Sequence, residues 1–238
     1  MTYGWRAKIG FLAPPKTFDS YPWHLLLPEG VGIIGYPLGL THLTPDEVRQ
    51  AWTRTDDGIR ELARRNVDII VLGGSPPVIV GGFGFDQKFI EQAAKITSIP
   101  VTTTQTAAIE AMQHLNMKRI AVAAPFDDTF CAMLRDFLEK SGFRVLSLKN
   151  KGLGLLESDQ QPLSVSYRLG RDAFAAAPDA DGLYIPRASF PVVENIELLE
   201  RDLKVPVVTS SQAVVWSVCR KLHIGGPIGG YGRLLAEL

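Results

Sequence analysis

Short apolar runs alternate along the chain with longer stretches whose apolar residues recur at helical spacing. The runs are continuously apolar, which is typical of parallel strands covered by helices on both faces. We predict strands at 7–13, 67–73, 99–103, 118–124, 143–148, 181–186 and 205–210. We predict helices at 45–65, 86–96, 105–115, 128–141, 163–177, 192–203 and 211–222. This alternation favours an α/β fold with right-handed crossovers.

The longest predicted helix carries its own start signals. Thr44 is the expected N-cap, Pro45 takes the first helical position and Glu47 completes a capping box. Between Val48 and Leu62 the apolar residues follow steps of three and four, which places them on one face. The pattern therefore predicts one unbroken helix over 45–65.

The order of segments repeats once along the chain. Three pairs of segments match at offsets of about 110 residues: 8–15 with 119–126, 68–75 with 181–189, and 99–111 with 205–217. We therefore predict two pseudo-symmetric, Rossmann-like lobes with parallel sheets. The first lobe is expected to comprise residues 1–116 plus 211–238, and the second residues 117–210. Ligands bind at the carboxyl ends of parallel strands, so we expect the active-site cleft between the lobes.

The expected strand ends carry groups that suit a small anion. Gly73 and Gly74 directly follow a strand and let backbone N–H groups approach a ligand, and Ser75 adds a hydroxyl. This turn can hold a carboxylate or an oxyanion, although a tight strand exit is an equally good reading. The other candidates at this edge are Pro14, Lys16, Phe126, Asp127, Arg187, Ala188, Ser189 and Ser210, with Tyr231 near the C-terminus. Helix capping is the alternative role for Asp127 and Ser210.

Composition excludes several classes of function. The charges balance at 25 basic and 25 acidic residues, which argues against nucleic acid or an anionic membrane as a partner. No apolar run has the length of a membrane span, and the N-terminus does not read as a signal peptide. Cys131 and Cys219 read as buried thiols, so we expect a cytoplasmic protein. There is no GK[ST] loop, no HExxH and no histidine cluster, so we predict neither cofactor nor metal.

Several motifs resemble a known family over essentially the whole chain. They are LGLTHLTPDEV, LGGS, PVTTTQTAAIEAM, KRIAVAAPFDD, DAFAAAPDADGLYI, VPVVTSSQAVVW and GYGRL. Together they resemble the aspartate/glutamate racemase superfamily, in its arylmalonate decarboxylase and maleate cis–trans isomerase branch. The resemblance implies two pseudo-symmetric lobes and chemistry at a carbon beside a carboxylate, without cofactor or metal.

The chain departs from that family at its proton-transfer positions. The resemblance places the first of the family's two cysteines on Gly74, as in the decarboxylases, and the second on or beside Arg187. The family's aromatic hydroxyl falls on Phe126. Racemisation by two bases is therefore disfavoured. Arg187, whose guanidinium stays protonated at every relevant pH, is not expected to replace a cysteine acid.

These features predict an enzyme that acts on a small carboxylate or dicarboxylate of the malonate type, as a lyase or decarboxylase. An enediolate would be stabilised by Gly74, Ser75 and Arg187, against a wall of Val78, Ile79 and Phe190. Water, Lys16 or Tyr231 would return the proton. A cis–trans isomerase or hydratase-like enzyme on a maleate-type acid is one alternative, and a non-catalytic binder of small acids is another.

Arg187 is the main carboxylate anchor or anion stabiliser in this interpretation, because its fixed fork matches a carboxylate. The alternative is a surface arginine paired with Glu194 or Glu197. A small carboxylate is the expected partner, and a homo-oligomer is possible.

Overall fold

A computed structural model describes residues 3–238 of the chain. Two four-stranded parallel sheets form its framework, with strand orders β2-β1-β3-β4 and β6-β5-β7-β8. The strands of the first sheet are β1 (Ala7–Pro15), β2 (Val31–Leu40), β3 (Ile69–Leu72) and β4 (Val101–Thr103). Those of the second are β5 (Arg119–Ala124), β6 (Arg144–Asn150), β7 (Gly182–Ile185) and β8 (Val207–Thr209). The matching strand orders confirm the predicted repeat and the α/β fold with two lobes.

Helices connect and cover these strands. In the first half they are α1 (Tyr21–Leu26), α2 (Pro45–Trp52), α3 (Thr55–Arg64), α4 (Pro76–Ile79), α5 (Phe85–Ala93) and α6 (Thr104–His114). In the second half they are α7 (Asp128–Lys140), α8 (Leu155–Asp159), α9 (Leu163–Ala175), α10 (Ile196–Leu203), α11 (Ser210–Lys221) and α12 (Arg233–Ala236). A short 3-10 turn, Val193–Asn195, precedes α10.

The central strands are buried on both sides, as their continuous apolar runs predict. All four residues of β3 and all four of β7 are buried. Helices α6 and α11 pack against each other and join the two halves. The assignment of residues 211–238 to the first lobe stays a prediction.

The structure contains elements that were not predicted, namely β2 and the short helices α1, α4, α8 and α12, and it divides one predicted helix in two. The helix expected over 45–65 is two helices, α2 and α3, that break at Thr53 and Arg54. At this break the Thr55 hydroxyl donates to the Trp52 carbonyl at 2.7 Å, and the Trp52 ring stacks on Phe85 at 4.6 Å between centroids. Among the described residues, no helix is long and apolar enough to cross a membrane.

The glycine-rich C-terminal segment is held by a buried carboxylate. Glu200 accepts the backbone N–H of Arg233 and that of Val207, each at 2.9 Å. Gly232 has a φ of 79°, and a Cβ there would stand 2.6 Å from Ile196. The Tyr231 carbonyl accepts from Gln212 at 2.7 Å. The GYGRL motif is therefore fixed against β8, α10 and α11 by these hydrogen bonds and contacts.

The start of α2 confirms half of the predicted capping box. The Thr44 hydroxyl accepts the backbone N–H of Glu47, as expected. The Glu47 carboxylate, however, accepts the backbone N–H groups of Thr41 and His42 at 2.8 Å each, rather than that of Thr44. These two bonds lower the pKa of Glu47 from 4.5 to about 2, because they stabilise the ionised form.

We expect this lowered pKa to make folding stability depend on pH in acid. Stability from the ionised Glu47 is fully present above pH 4.5 and is lost as pH falls through about 2. Glu47→Gln should therefore flatten the loss of stability over this range, measured by urea unfolding at successive pH values. Asp46→Asn is the matched control, because Asp46 pairs with the exposed Arg49. An unchanged pH profile in Glu47→Gln would contradict this assignment.

Candidate functional site

The two sheets present equivalent strand exits that share one backbone arrangement. Gly74 follows β3 by two residues with a φ of 75°, and Arg187 follows β7 by two residues with a φ of 81°. The Gly74 amide donates to the Thr104 hydroxyl at 3.0 Å, and the Arg187 amide donates to the Ser210 hydroxyl at 2.9 Å. Thr104 and Ser210 are the first residues of α6 and α11. The exits are thus pseudo-symmetric, with Arg187 the counterpart of Gly74.

A buried tyrosine lies between the two exits. Tyr184 of β7 is fully buried, and its hydroxyl lies 3.4 Å from the Ser75 hydroxyl. Burial raises the pKa of Tyr184, and hydrogen bonding from Ser75 and Ser210 opposes that rise. The buried Gln105 carboxamide lies beside this phenol but makes no hydrogen bond of normal geometry. The Ser75 hydroxyl therefore belongs to an internal polar cluster rather than to an open surface.

A cleft opens between the exits and the end of β1. It is partly open to solvent at its mouth. Its wall is mainly apolar and aromatic, and the Phe11 ring is tilted against the rings of Phe18 and Trp23 at centroid distances of 5.7 and 4.8 Å. The lining residues are Phe11, Ala13, Pro14, Pro15, Thr17, Phe18, Asp19, Pro22, Trp23, Leu40, Leu43, Gly74, Pro76, Leu155, Arg187, Ala188 and Ser189. The expected wall of Val78, Ile79 and Phe190 is wrong, since these side chains are buried away from the cleft.

Arg187 is the buried cation of this cleft, only 7% exposed. Its Nε and Nη2 donate to Asp159 of α8, and Nη2 also donates to the Leu155 carbonyl at 2.7 Å. The Ser189 hydroxyl donates to the same Asp159 oxygen at 2.8 Å. Burial lowers the pKa of Arg187, and Asp159 opposes this effect. The alternative of a surface arginine paired with Glu194 or Glu197 is therefore wrong.

Three backbone amides at the exits remain free. They belong to Ser75, directly after Gly74, and to Ala188 and Ser189, directly after Arg187. Within residues 3–238, no acceptor lies within hydrogen-bond reach of these three N–H groups. Such amides beside an apolar cleft can stabilise negative charge on an oxygen atom.

The remaining candidate residues lie around the cleft rather than in it. A Cβ at Gly73 would stand 2.5 Å from the Phe11 ring, so only glycine lets the strand exit lie this close to β1. Phe126 is fully buried, Lys16 is exposed, and Asp127 caps α7 by accepting the Phe130 amide at 2.9 Å. The Ser210 hydroxyl accepts the Arg187 amide, and the Tyr231 backbone carbonyl accepts from the Gln212 carboxamide. None of these side chains lines the cleft, whereas those of Pro14, Arg187, Ala188 and Ser189 do, together with Gly74.

Both cysteines are free thiols buried in helices. Burial is the main cause that raises the pKa of Cys131 to about 12 and that of Cys219 to about 11. Neither residue lines the cleft. The prediction that they are core thiols is confirmed by their burial, and neither is ionised near neutral pH. Among the described residues, no group of three or more His, Cys, Asp or Glu side chains is placed to hold a metal ion.

Sequence reasoning missed the residues that complete the site. Asp159 and Leu155 lie on α8, a five-residue helix with no periodic pattern, and Tyr184 lies inside an apolar strand. The aromatic wall comes from β1, its exit and α1. The only sequence signal for it was the clustering of Phe11, Phe18 and Trp23 around the expected first strand end.

Known proteins match the chain over nearly its full length. The model of the arylmalonate decarboxylase family matches residues 9–235. An arylmalonate decarboxylase from Bordetella bronchiseptica is 27% identical over 231 residues, covering 96% of each chain. A maleate isomerase from Nocardia farcinica is 24% identical over 196 residues, covering 75% of this chain and 73% of its own.

Solved structures agree with these relatives. A mutant arylmalonate decarboxylase in liganded form superposes with a TM-score of 0.93 at 27% identity, covering 98% of this chain and 100% of that one. A Nocardia farcinica maleate cis–trans isomerase, captured with a covalent succinylcysteine intermediate, has the same fold, with a TM-score of 0.84 at 20% identity over 98% and 99% of the two chains. By its sequence, its two matching sheets and the match over residues 9–235, the chain belongs to the arylmalonate decarboxylase family.

Proposed function

We propose that this protein is a cofactor-independent decarboxylase of a small dicarboxylate of the malonate type that carries an apolar, preferably aromatic, substituent. The observation that carries the proposal is the pair of free amides of Ala188 and Ser189, which line an aromatic cleft, together with the free amide of Ser75, which lies in sequence between the lining residues Gly74 and Pro76. Oriented N–H groups stabilise negative charge that develops on oxygen, and an apolar wall destabilises a carboxylate held against it.

The chemistry needs these two surfaces on opposite sides of one carbon. One carboxylate would accept hydrogen bonds from the free amides, while the other would face the ring cluster of Phe11, Phe18 and Trp23. The bond between the α-carbon and the second carboxyl carbon breaks, and its electron pair moves into the retained carboxylate to form an enediolate. The second carboxylate leaves as CO₂, and a proton then returns to the α-carbon.

The paired state of Arg187 bears on how the anion is held. Its charge is already balanced by Asp159, so the site offers neutral N–H donors rather than an unpaired cation to the retained carboxylate. A neutral donor set still favours the enediolate, because charge concentrates on its oxygens as CO₂ leaves. The anchoring role expected for Arg187 thus passes largely to the amides.

The cleft favours decarboxylation over isomerisation. The Nocardia farcinica isomerase forms a covalent bond through cysteine. Neither cysteine of this chain lines the cleft, so the nucleophile for that route is missing.

The two free thiols also support a reducing, cytoplasmic setting for the protein.

We expect the protein to release CO₂ from phenylmalonate, measured by trapping the gas and by quantifying phenylacetate. Unsubstituted malonate is the control, and it should react more slowly because it leaves the aromatic wall unfilled. Conversion of maleate to fumarate, followed by ultraviolet absorbance, would instead support an isomerase. A thermal shift with these acids and no turnover would identify a binder and overturn the proposal.

Ser75→Pro should test the free amides directly. Ser75 has a φ of −74°, which proline adopts without strain, and its N–H has no protein partner to lose. Removing this donor should lower kcat/KM by about 10²–10³-fold, the usual effect of losing one oxyanion donor. Ser75→Ala is the matched control, since it deletes the hydroxyl and keeps the amide. Equal activities in the two variants would rule out the Ser75 amide as a donor.

Cys131→Ala and Cys219→Ala should each leave turnover within a few fold of the parent. Both thiols are protonated and lie away from the cleft, so only packing is lost, at a cost of roughly 1–2 kcal/mol in unfolding free energy. Turnover and urea unfolding check both effects. Inactivation by a thiol reagent that bound substrate prevents would contradict this expectation.

A further inference from the structure

A phenol inside the molecule lies against both strand exits. Tyr184, near the end of β7, is fully buried and does not line the cleft. Its hydroxyl lies 3.4 Å from that of Ser75, at the first exit, and the Ser210 hydroxyl lies beside the same phenol. Because Ser210 accepts the Arg187 amide of the second exit, the phenol contacts groups that hold both exits.

These groups can form one continuous series of hydrogen bonds. The Arg187 amide donates to the Ser210 oxygen at 2.9 Å, which leaves the Ser210 proton free for the Tyr184 oxygen. The Tyr184 proton can then be donated to the Ser75 oxygen. A hydroxyl group accepts and donates at the same time, so each link is compatible with the next. Burial raises the pKa of Tyr184, so the phenol keeps the proton that this series needs.

The contact between Tyr184 and Ser75 crosses from one half of the chain to the other. The two residues are 109 positions apart, and Tyr184 belongs to the second sheet, whereas Ser75 follows the first. The bond of Gly74 to Thr104 fixes the first exit only to a helix of its own half, and the second exit is likewise bonded to the start of α11. The contact of Tyr184 with Ser75 therefore sets one exit relative to the other.

The repeat by itself does not require this contact. Counted from the two exits, the counterpart of Tyr184 in β3 is Val71, and the counterpart of Ser75 is Ala188. Neither counterpart carries a hydroxyl, so the equivalent pair in the other half is apolar. A buried hydroxyl is costly unless it has a hydrogen-bond partner, and Tyr184 places one inside a fully buried strand. The phenol is therefore a polar feature of one half rather than a product of the shared fold.

We propose that Tyr184 is a positioning residue that holds the free amide of Ser75 at a fixed place relative to those of Ala188 and Ser189. This inference rests on the proposed function and names the group that sets the spacing of its hydrogen-bond donors. The hydroxyl and the amide of Ser75 belong to one residue, so a hydrogen bond to the hydroxyl restricts the movement of the amide. At 3.4 Å the contact is long for two hydroxyl groups, and hydrogen bonds of this kind often tighten when a ligand binds.

The spacing of the donors matters more for the enediolate than for the substrate. A bound carboxylate already carries its charge, and the donors of one exit are enough to hold it. As CO₂ leaves, more negative charge develops on the two oxygens, and donors that are fixed in advance stabilise this charge without rearrangement. Loosening one donor relative to the others should therefore lower kcat more than it raises KM.

The first test compares two tyrosine-to-phenylalanine variants of the full-length protein on phenylmalonate. Tyr184→Phe keeps the ring and removes only the hydroxyl. It should lower kcat by about 10-fold, less than the roughly 10²-fold cost of misplacing a group by a full ångström, while KM stays within a few fold. Tyr167→Phe is the matched control, because its hydroxyl bonds to Asp202 away from the cleft, and its kcat should equal that of the parent.

A double-variant cycle tests whether Tyr184 acts through Ser75. Ser75→Ala removes the same contact from the other side and keeps the amide. If the phenol acts through this hydroxyl, Tyr184→Phe should lower kcat much less in the Ser75→Ala background than in the parent. Losses that simply multiply in the double variant would overturn this route.

Amide hydrogen exchange, followed by NMR, tests the positioning role without turnover. In Tyr184→Phe the Gly74 amide, which directly precedes Ser75, should exchange roughly 2–10-fold faster, the effect of losing one hydrogen bond of ordinary strength. The Leu72 amide of β3 is the internal control, because faster exchange there as well would report a general loss of stability. Ser75→Ala should have the same effect on Gly74, and it takes the place of Tyr184→Phe if that variant does not fold.

The outcomes separate this inference from the proposed function. A parent that releases no CO₂ from any malonate overturns the proposed function, and the exchange rates then still decide whether Tyr184 holds the exit. An unchanged exchange rate of Gly74 contradicts the positioning role. An active parent whose Tyr184→Phe variant keeps its kcat overturns the inference alone. A raised KM with unchanged kcat also overturns it, since that result identifies weaker substrate binding rather than displaced donors.

Discussion

The site depends on one hydrogen bond that occurs twice. At each strand exit a residue in the left-handed region donates its amide to a hydroxyl at the start of the helix that follows the neighbouring strand. At this bond the chain turns away from the sheet. The amides that follow, those of Ser75, Ala188 and Ser189, therefore make no hydrogen bonds to a neighbouring strand. Glycine adopts the conformation at little cost at position 74, while Arg187 does so at about 1–2 kcal/mol. The surrounding bonds to Ser210 and Asp159 hold it there.

Pseudo-symmetry in the backbone combined with asymmetry in the side chains gives the cleft its chemistry. Both exits offer free amides, which suits the retained carboxylate of a substrate. Only one exit carries a long side chain, and the rings of Phe11, Phe18 and Trp23 come from β1, its exit and α1. A ligand between them therefore meets hydrogen-bond donors, an apolar wall and one buried guanidinium in fixed relative positions.

The ion pair of Arg187 and Asp159 shows why a charged residue in a cleft is not automatically an anchor for charge. A buried cation needs a partner because desolvation is costly, and Asp159 supplies it from α8. Once paired, the guanidinium attracts a dianion less strongly. The ion pair also links the short helix α8 to the β7 exit.

The sequence by itself determined the two-fold repeat, seven of the eight strands and the exits at Gly74 and Arg187, because continuous apolar runs mark buried parallel strands. It also indicated the caps at Thr44 and Asp127, because capping signals lie within a few residues of one another. It did not determine β2, whose three internal glycines and Pro37 interrupt the apolar run and whose residues are only half-buried at a sheet edge. The sequence also did not predict the helix break at Thr53 and Arg54. At this break the Trp52 ring packs on Phe85, which is distant in the sequence. Only the tertiary structure decided which groups meet in the cleft. Asp159 lies 28 residues from Arg187 along the chain, and the aromatic wall comes from β1, its exit and α1. Such contacts depend on how the sheets pack, and no local pattern records them.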